Sequence, residues 1–160
     1  MKIGFYAGSF DPFTEGHLHI VKVASKMFDK VIVGIGNNAN KKRRYSVDKM
    51  EKAINQVFKN NGLTNCECIA YDGLTCDVAS KYNVTFLIRG IRNGMDYDQE
   101  ENLALVNQEI SGIDTVYFRA GSFGAISSSM VYTLILNNKD VSKYLPKEIL
   151  ELTKGEQLWK

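Results

Sequence analysis

Proline is scarce in this chain, with two in 160 residues, and cysteine numbers only three. A small, odd cysteine count builds no disulfide framework and suits a reducing compartment. Cys66 and Cys68 alternate along a strand-like run and share one face. Cys76 stands further on, and neither histidine is near them in sequence, so no metal-ligand set forms. The expectation is three free thiols. No apolar run approaches the ~20 residues of a membrane span, and Met1-Lys2-Ile3-Gly4-Phe5-Tyr6 is interrupted too soon for a signal peptide. An excess of one charge is also missing: 20 basic residues against 18 acidic leave +2. That balance gives no footing for broad nucleic-acid or membrane binding, although a local basic loop stays open. The chain contains no repeat, low-complexity tract or linker. A cytoplasmic protein with neither nucleic-acid nor membrane partners is expected.

The 160 residues amount to one domain. A chain of this length buries roughly 70% of its unfolded surface and needs no disulfide or metal to hold a core. Residues 1–160 are read as a single domain, with a loose tail from about residue 153.

Periodicity alternates between strand and helix. Lys2–Ala7 is a short apolar run closed by Gly8. Thr14–Phe28 carries Ile20, Val23, Ala24, Met27 and Phe28 on one helical stripe. Val31–Gly36 is a second apolar strand, and Asn37–Tyr45 a polar, basic loop. Ser46 caps a helix to about Asn60, with Met50, Ile54 and Phe58 four apart. Asn65–Tyr71 reads as a strand, Leu74–Tyr82 as a short helix and Val84–Ile88 as a strand. Asp96–Ser111 reads as a helix, with Asp96 and Gln99 as a capping box and Gly112 as its stop. Thr115–Phe118, Ser127–Asn137 and Leu145 to about Leu152 complete the pattern as strand, helix and helix. The prediction is α/β: a Rossmann-like, open, parallel five-stranded sheet with helices on both faces. Ligands of such sheets bind beyond the carboxyl ends of the strands.

Chemistry-bearing residues fall at those ends. The first strand runs into Gly8-Ser9-Phe10-Asp11-Pro12-Phe13-Thr14-Glu15-Gly16-His17. Gly8 permits a sharp turn, and Thr14 as N-cap places Gly16 and His17 in the first helical turn, where free N–H groups attract anions. His17 and His19 diverge by about 200° on a helix and form no metal pair. Ala125-Ile126-Ser127-Ser128-Ser129 opens a late helix with hydroxyls and free N–H groups. Arg89 and Arg92, three apart at a strand end, suit phosphate or carboxylate. Lys41-Lys42-Arg43-Arg44 offers a lysine that reaches a phosphate, and Glu100, Leu103 and Asn107 share a helix face. Plainer readings stand beside each: capped helix starts, surface arginines, a solvated basic loop and an exposed polar face. Gly34-x-Gly36-x-x-Ala39 loosely fits a dinucleotide fingerprint, but no helix opens there.

Ser9-Phe10-Asp11-Pro12 with Thr14-x-Gly16-His17 resembles the T/HxGH nucleotidylyltransferases and, within them, the phosphopantetheine adenylyltransferase family. Ile126-Ser127-Ser128-Ser129 and Arg89-Gly90-Ile91-Arg92 resemble the same family's later motifs. The resemblance runs from Ile3 to about Leu152. It implies transfer of the adenylyl group of ATP to 4′-phosphopantetheine, giving dephospho-coenzyme A and pyrophosphate. It further implies catalytic roles for His17, as transition-state stabiliser, and Lys41, with Lys42 as the adjacent alternative. ATP-side residues by resemblance are Ser9, Phe10, His17, Gly90, Ile91, Arg92, Glu100, Phe123, Gly124, Ala125, Ile126, Ser127, Ser128 and Ser129. Phosphopantetheine-side residues are Ser9, Lys41, Leu74, Thr75, Arg89, Leu103 and Asn107. A homohexamer and inhibition by coenzyme A are likewise implied. Gln99 stands where the family often has Tyr. Mg²⁺ is expected to travel with ATP on phosphates and water, because no dense carboxylate cluster offers a cage. No Ser or Cys is paired with a base and an orienting acid, which fits a nucleophile supplied by the substrate. The rival readings are transfer to another phosphate acceptor, ATP sensing without turnover, and nucleic-acid binding.

Overall fold

The computed structural model describes residues 1–37, 42–92 and 94–155, with the helical backbone alone for 94–101. Five strands form one sheet: β1 (Ile3–Gly8), β2 (Lys30–Gly36), β3 (Cys66–Tyr71), β4 (Phe86–Ile91) and β5 (Asp114–Arg119). Their order is β3-β2-β1-β4-β5, and every pairing is parallel. The helices are α1 (Glu15–Ser25), α2 (Val47–Asn60), α3 (Thr75–Lys81), α4 (Gly94–Ser111), α5 (Ser128–Leu136) and α6 (Lys147–Lys154), with a 3₁₀ turn at Gly121–Phe123. This is the predicted α/β architecture.

Strand alternation divides the core between the two sheet faces. Tyr6, Val31, Val33, Ile35 and Ile88 join residues of α1, α2, α5 and α6 in the larger cluster. Phe5, Ala7, Ile32 and Leu87 join Ala79 of α3 in the smaller one. Met50, Ile54 and Phe58 are buried as their four-residue spacing predicts, and each contributes about 1.5–3 kcal/mol by leaving water. Cys66 and Cys68 lie with the larger cluster, and all three cysteines are free. Burial pushes the Cys66 thiol up to about 11 and raises that of Cys68 as well, so neither is a ready nucleophile. Among the described residues, no helix is long and apolar enough to cross a membrane.

Several boundaries differ from the sequence reading. α1 ends at Ser25, not Phe28: the amides of Met27 and Phe28 both donate to the Ala24 carbonyl, tightening the last turn. Phe28 thereby reaches the core, whereas Met27, expected on the buried stripe, is 60% exposed. α4 begins at Gly94, two residues before Asp96, so Asp96 lies inside the helix and is not its cap. α6 continues to Lys154 with Thr153 buried, past the expected end at Leu152. β4 continues through Ile91, pairing Arg89, Gly90 and Ile91 with Tyr117, Phe118 and Arg119.

Gly34 in β2 marks the tightest crossing of the smaller cluster. A Cβ there would collide with the ring of Phe5, which is wholly buried, and approach Tyr71 Cε1 to 2.9 Å. Overpacking of this kind costs about 1–3 kcal/mol. Gly34→Ala is therefore expected to lower the free energy of unfolding by that amount in chemical denaturation; an unchanged midpoint would contradict this packing.

Candidate active site at the β1–β4 switch point

From β1 the sheet grows through β2 and β3 in one direction, and through β4 and β5 in the other. The connections therefore diverge between β1 and β4, and a crevice opens beyond their carboxyl ends. The start of α1 and the start of α5 both reach this crevice. Thr14 caps α1 and Ser127 caps α5, each with an extended backbone and a side-chain oxygen accepting an amide three residues on.

Thr14 and His17 cap each other. The His17 amide donates to Thr14 Oγ1 at 3.4 Å, and the Thr14 amide donates to His17 Nδ1 at 2.9 Å. A backbone amide can only donate, so Nδ1 is the acceptor and the proton of the neutral ring sits on Nε2. Around the ring stand Phe10, Phe13 and Tyr6, with centroids 4.9, 5.4 and 6.3 Å away. Desolvation by this surround lowers the imidazole pKa from 6.5 to about 4, and the positive charge of Arg92 adds to the effect. At neutral pH the site thus presents an uncharged imidazole with one N–H to give.

The three serines at the start of α5 play three parts. Ser127 Oγ accepts from the Met130 amide at 3.0 Å. Ser128 Oγ donates to the Pro12 carbonyl at 2.7 Å, tying α5 to the turn after β1. Ser129 Oγ accepts from Arg44 Nη2 at 3.1 Å. Helix capping is therefore real, yet Ser127 and Ser128 also face the crevice. Arg89 Nη1 donates to the Ala7 carbonyl at 2.9 Å, bracing the end of β1.

Two recesses occupy the crevice. One, of about 200 Å³, is lined by Thr14, Gly16, His17, Gly90, Arg92, Phe123, Ile126, Ser127 and Ser128, together with Tyr6, Ile20 and Ala120. The other, of about 360 Å³, is lined by Ser9, Phe10, Arg89 and the β1 end Ala7-Gly8, and shares Tyr6, His17, Gly90, Arg92 and Ser128 with the first. The shared wall carries the imidazole, a guanidinium and a helix-start hydroxyl. Side by side, the recesses can hold two ligands whose anionic ends meet at His17.

Most sequence-predicted site residues converge here, but not all. Phe10 and Ser9, expected on the ATP side, stand with Arg89 in the second recess, which Ser128 also lines. Ile91, Gly124, Ala125 and Ser129 flank the first recess without lining it. Leu74, Thr75, Leu103 and Asn107 line neither; Leu74 and Leu103 are exposed, and Thr75 Oγ1 is 2.8 Å from the Tyr71 hydroxyl. Lys41 and the Glu100 side chain lie outside the described residues. Arg43, read as part of a solvated loop, instead turns inward to the Ser9 carbonyl at 2.7 Å. Sequence reasoning missed Tyr6, Ile20 and Ala120 as lining. Ile20 carried a signal, one helical turn from Gly16; Tyr6 and Ala120 looked like ordinary core.

The imidazole makes a direct test. Nitrogen-detected NMR is expected to find His17 as the Nε2–H tautomer titrating near pH 4; a midpoint near 6.5 would contradict the enclosure. Because the folded value lies below the unfolded one, the unfolded chain takes up the proton first. The stability contributed by His17 is fully present above about pH 6.5 and is lost as the pH falls through about 4.

Comparisons with known proteins agree with this geometry. The cytidylyltransferase-like family model matches residues 5–134. The chain is 36% identical over 148 residues to the phosphopantetheine adenylyltransferase of Bacteroides thetaiotaomicron, covering 92% of this chain and 97% of that one. It is 40% identical over 147 residues to that of Porphyromonas gingivalis, covering 91% and 95%. For Helicobacter pylori the identity is 36% over 153 residues, covering 94% and 96%. A solved structure described as a nicotinate-nucleotide adenylyltransferase from Vibrio parahaemolyticus shares the fold, with a TM-score of 0.71 at 18% identity over 97% of this chain and 100% of that one. A capped histidine at the sheet's switch point, two recesses meeting on it, and relatives aligned over nearly their whole length place this chain in the cytidylyltransferase-like nucleotidyltransferases and, within them, in the phosphopantetheine adenylyltransferase family.

Proposed function

We propose that the chain transfers the adenylyl group of ATP to 4′-phosphopantetheine, releasing pyrophosphate and forming dephospho-coenzyme A in coenzyme A biosynthesis. The observation that carries this reading is the pair of recesses sharing His17, Arg92 and Ser128. The triphosphate takes the recess at the starts of α1 and α5, where the positive ends of two helices favour anions. The acceptor's phosphate takes the recess beside Ser9 and Arg89. Its oxygen attacks the α-phosphorus in line, a P–O bond forms, and the bond to pyrophosphate breaks with its electron pair leaving on the departing oxygen. No protein atom bonds to either substrate.

The physical obstacle is repulsion. Two like unit charges 4 Å apart at an effective dielectric of 20 repel by about 4 kcal/mol. Arg89, Arg92 and the two helix starts offset it, and Lys41 belongs to the same reading. Alignment of the reactants supplies up to ~7–11 kcal/mol of barrier reduction. Nε2–H of His17 donates to an α-phosphate oxygen as charge gathers there, which is worth roughly 2.7–4 kcal/mol for one such donor. A neutral donor suits this task because it binds without giving up its proton. Mg²⁺ enters with ATP as part of the substrate. In this reading phosphate oxygens and water supply its ligands, as suits a small hard cation that keeps several waters.

The finer parts of the reading rest on family membership. They are a cytoplasmic location, a homohexamer and inhibition by coenzyme A. Leu105, Val106 and Ile110 of α4 are each more than half exposed, an apolar surface that supports assembly.

Incubation with ATP, Mg²⁺ and a panel of phosphate acceptors tests the activity. Pyrophosphate is expected only when 4′-phosphopantetheine is present; release with nicotinamide mononucleotide or glycerol phosphate instead would replace the substrate assignment. His17→Ala should slow turnover at least tenfold while ATP still binds, and near-normal turnover would remove His17 from the mechanism. Arg89→Ala should raise the KM for the acceptor; a defect confined to ATP affinity would exchange the two recesses.

A further inference from the structure

Among the described residues Asp11 is the one buried charged residue, and none of the steps above uses it. Its carboxylate lies inside, where an unpaired charge is costly. Oδ2 accepts the Arg44 amide at 2.7 Å, Oδ1 accepts the Tyr45 amide at 3.0 Å, and Arg43 Nη2 stands 3.6 Å from Oδ1. Both side chains of that ion pair are only 10% exposed. Arg43 then reaches back: Nη1 donates to the Ser9 carbonyl at 2.7 Å and Nε to the Tyr45 carbonyl at 3.1 Å. Arg44 does the same one residue on, with Nη1 to the Asp11 carbonyl at 2.8 Å and Nη2 to Ser129 Oγ. Its guanidinium also lies 4.8 Å from the Tyr132 ring centre.

This network spans three segments distant in sequence: the turn after β1, the residues before α2 and the start of α5. Two of the three form the walls of the recesses. Phe10, at the centre of the turn, has φ 45°, a left-handed conformation that is unfavourable for a bulky aromatic residue. Such a conformation persists only where its surroundings over-determine it. The ties on either side of Phe10, to the Ser9 carbonyl and to Asp11, do so. Phe10 in turn packs edge-on against the His17 ring.

We infer that Asp11, through Arg43 and Arg44, is a positioning residue that holds the acceptor wall at Ser9 and Phe10 in fixed relation to the His17 ring and the serine turn of α5. It touches neither substrate. Its effect is exerted through backbone groups, so its charge and its two acceptor oxygens both matter. In Asp11→Asn the amide NH₂ must face the backbone N–H of Arg44 or that of Tyr45, leaving that donor unpaired.

This inference rests on the proposed adenylyl transfer for its kinetic readout and has a second readout that does not. In folded Asp11→Asn, assayed well below its melting temperature, kcat should fall at least tenfold and the acceptor KM should rise at least fivefold. The dissociation constant for ATP alone, by calorimetry, should change less than twofold. A merely structural Asp11 would lower the Tm and leave kcat and KM per folded molecule unchanged, and that result would overturn the inference, as would equal losses for both substrates. Arg43→Lys keeps the charge but cannot reach both carbonyls, and it should reproduce the acceptor-side defect even if Asp11→Asn fails to fold; normal acceptor kinetics in Arg43→Lys would also overturn the inference. In substrate-free protein, the amides of Arg44 and Tyr45 should exchange at least tenfold faster in Asp11→Asn, with the Ser9 and Ser128 resonances shifted. Unchanged exchange and resonances would sink the anchor, whereas a wild-type protein releasing no pyrophosphate would sink only the proposed reaction.

Discussion

The 2.9 Å hydrogen bond from the Thr14 amide to Nδ1 of His17 decides the chemistry of the whole crevice. A histidine in the first turn of a helix could otherwise swing through several rotamers and hold its proton on either nitrogen. Here one backbone donor fixes the ring orientation, selects the tautomer and leaves Nε2–H as the group on offer. The same contact closes the first turn of α1, so the catalytic candidate is part of the helix cap rather than an ornament on it. The aromatic enclosure then keeps the ring neutral: Phe10 and Phe13 exclude the water that would stabilise imidazolium, and Arg92 disfavours it further.

Around that fixed ring the topology does the gathering. Reversal of direction between β1 and β4 opens the sheet at one place, and the loops that follow these strands meet there. The helix starts of α1 and α5 bring the positive ends of their dipoles, and the end of β4 brings two guanidiniums. In the proposed reaction, a site built this way needs no nucleophile of its own. It has to bring polyanions together, and fixed positive charge with helix-start amides serves both the bound state and the reaction. The thiols of Cys66, Cys68 and Cys76 line neither recess.

Much of this was legible in the sequence because the residues concerned obey local rules. Thr14 and Ser127 announce themselves as caps, the four-residue spacing of Met50, Ile54 and Phe58 gives a buried helix face, and apolar runs of five or six residues give the strands. What local rules missed were long-range partnerships. Arg43 reads as one more cation in a basic loop, yet its partner, Asp11, is 32 residues earlier in the chain. β4 begins two residues into the apolar run Val84–Ile88 and ends three beyond it, because Arg89 and Gly90, although not apolar, continue the ladder at the crevice. Asp96 mimics a cap, but the helix starts two residues sooner. Leu103 and Leu74 were assigned by resemblance alone, and in the single chain they stand exposed, outside both recesses.

The account's central claim is that the two recesses let one ligand attack the other directly. Adenylyl transfer from ATP made chiral at the α-phosphorus with sulfur and oxygen isotopes reads this most directly. A single in-line displacement predicts inversion of configuration at phosphorus in the dephospho-coenzyme A product. Retention would mean two displacements through a protein nucleophile, and would contradict the reading of His17 and the shared wall.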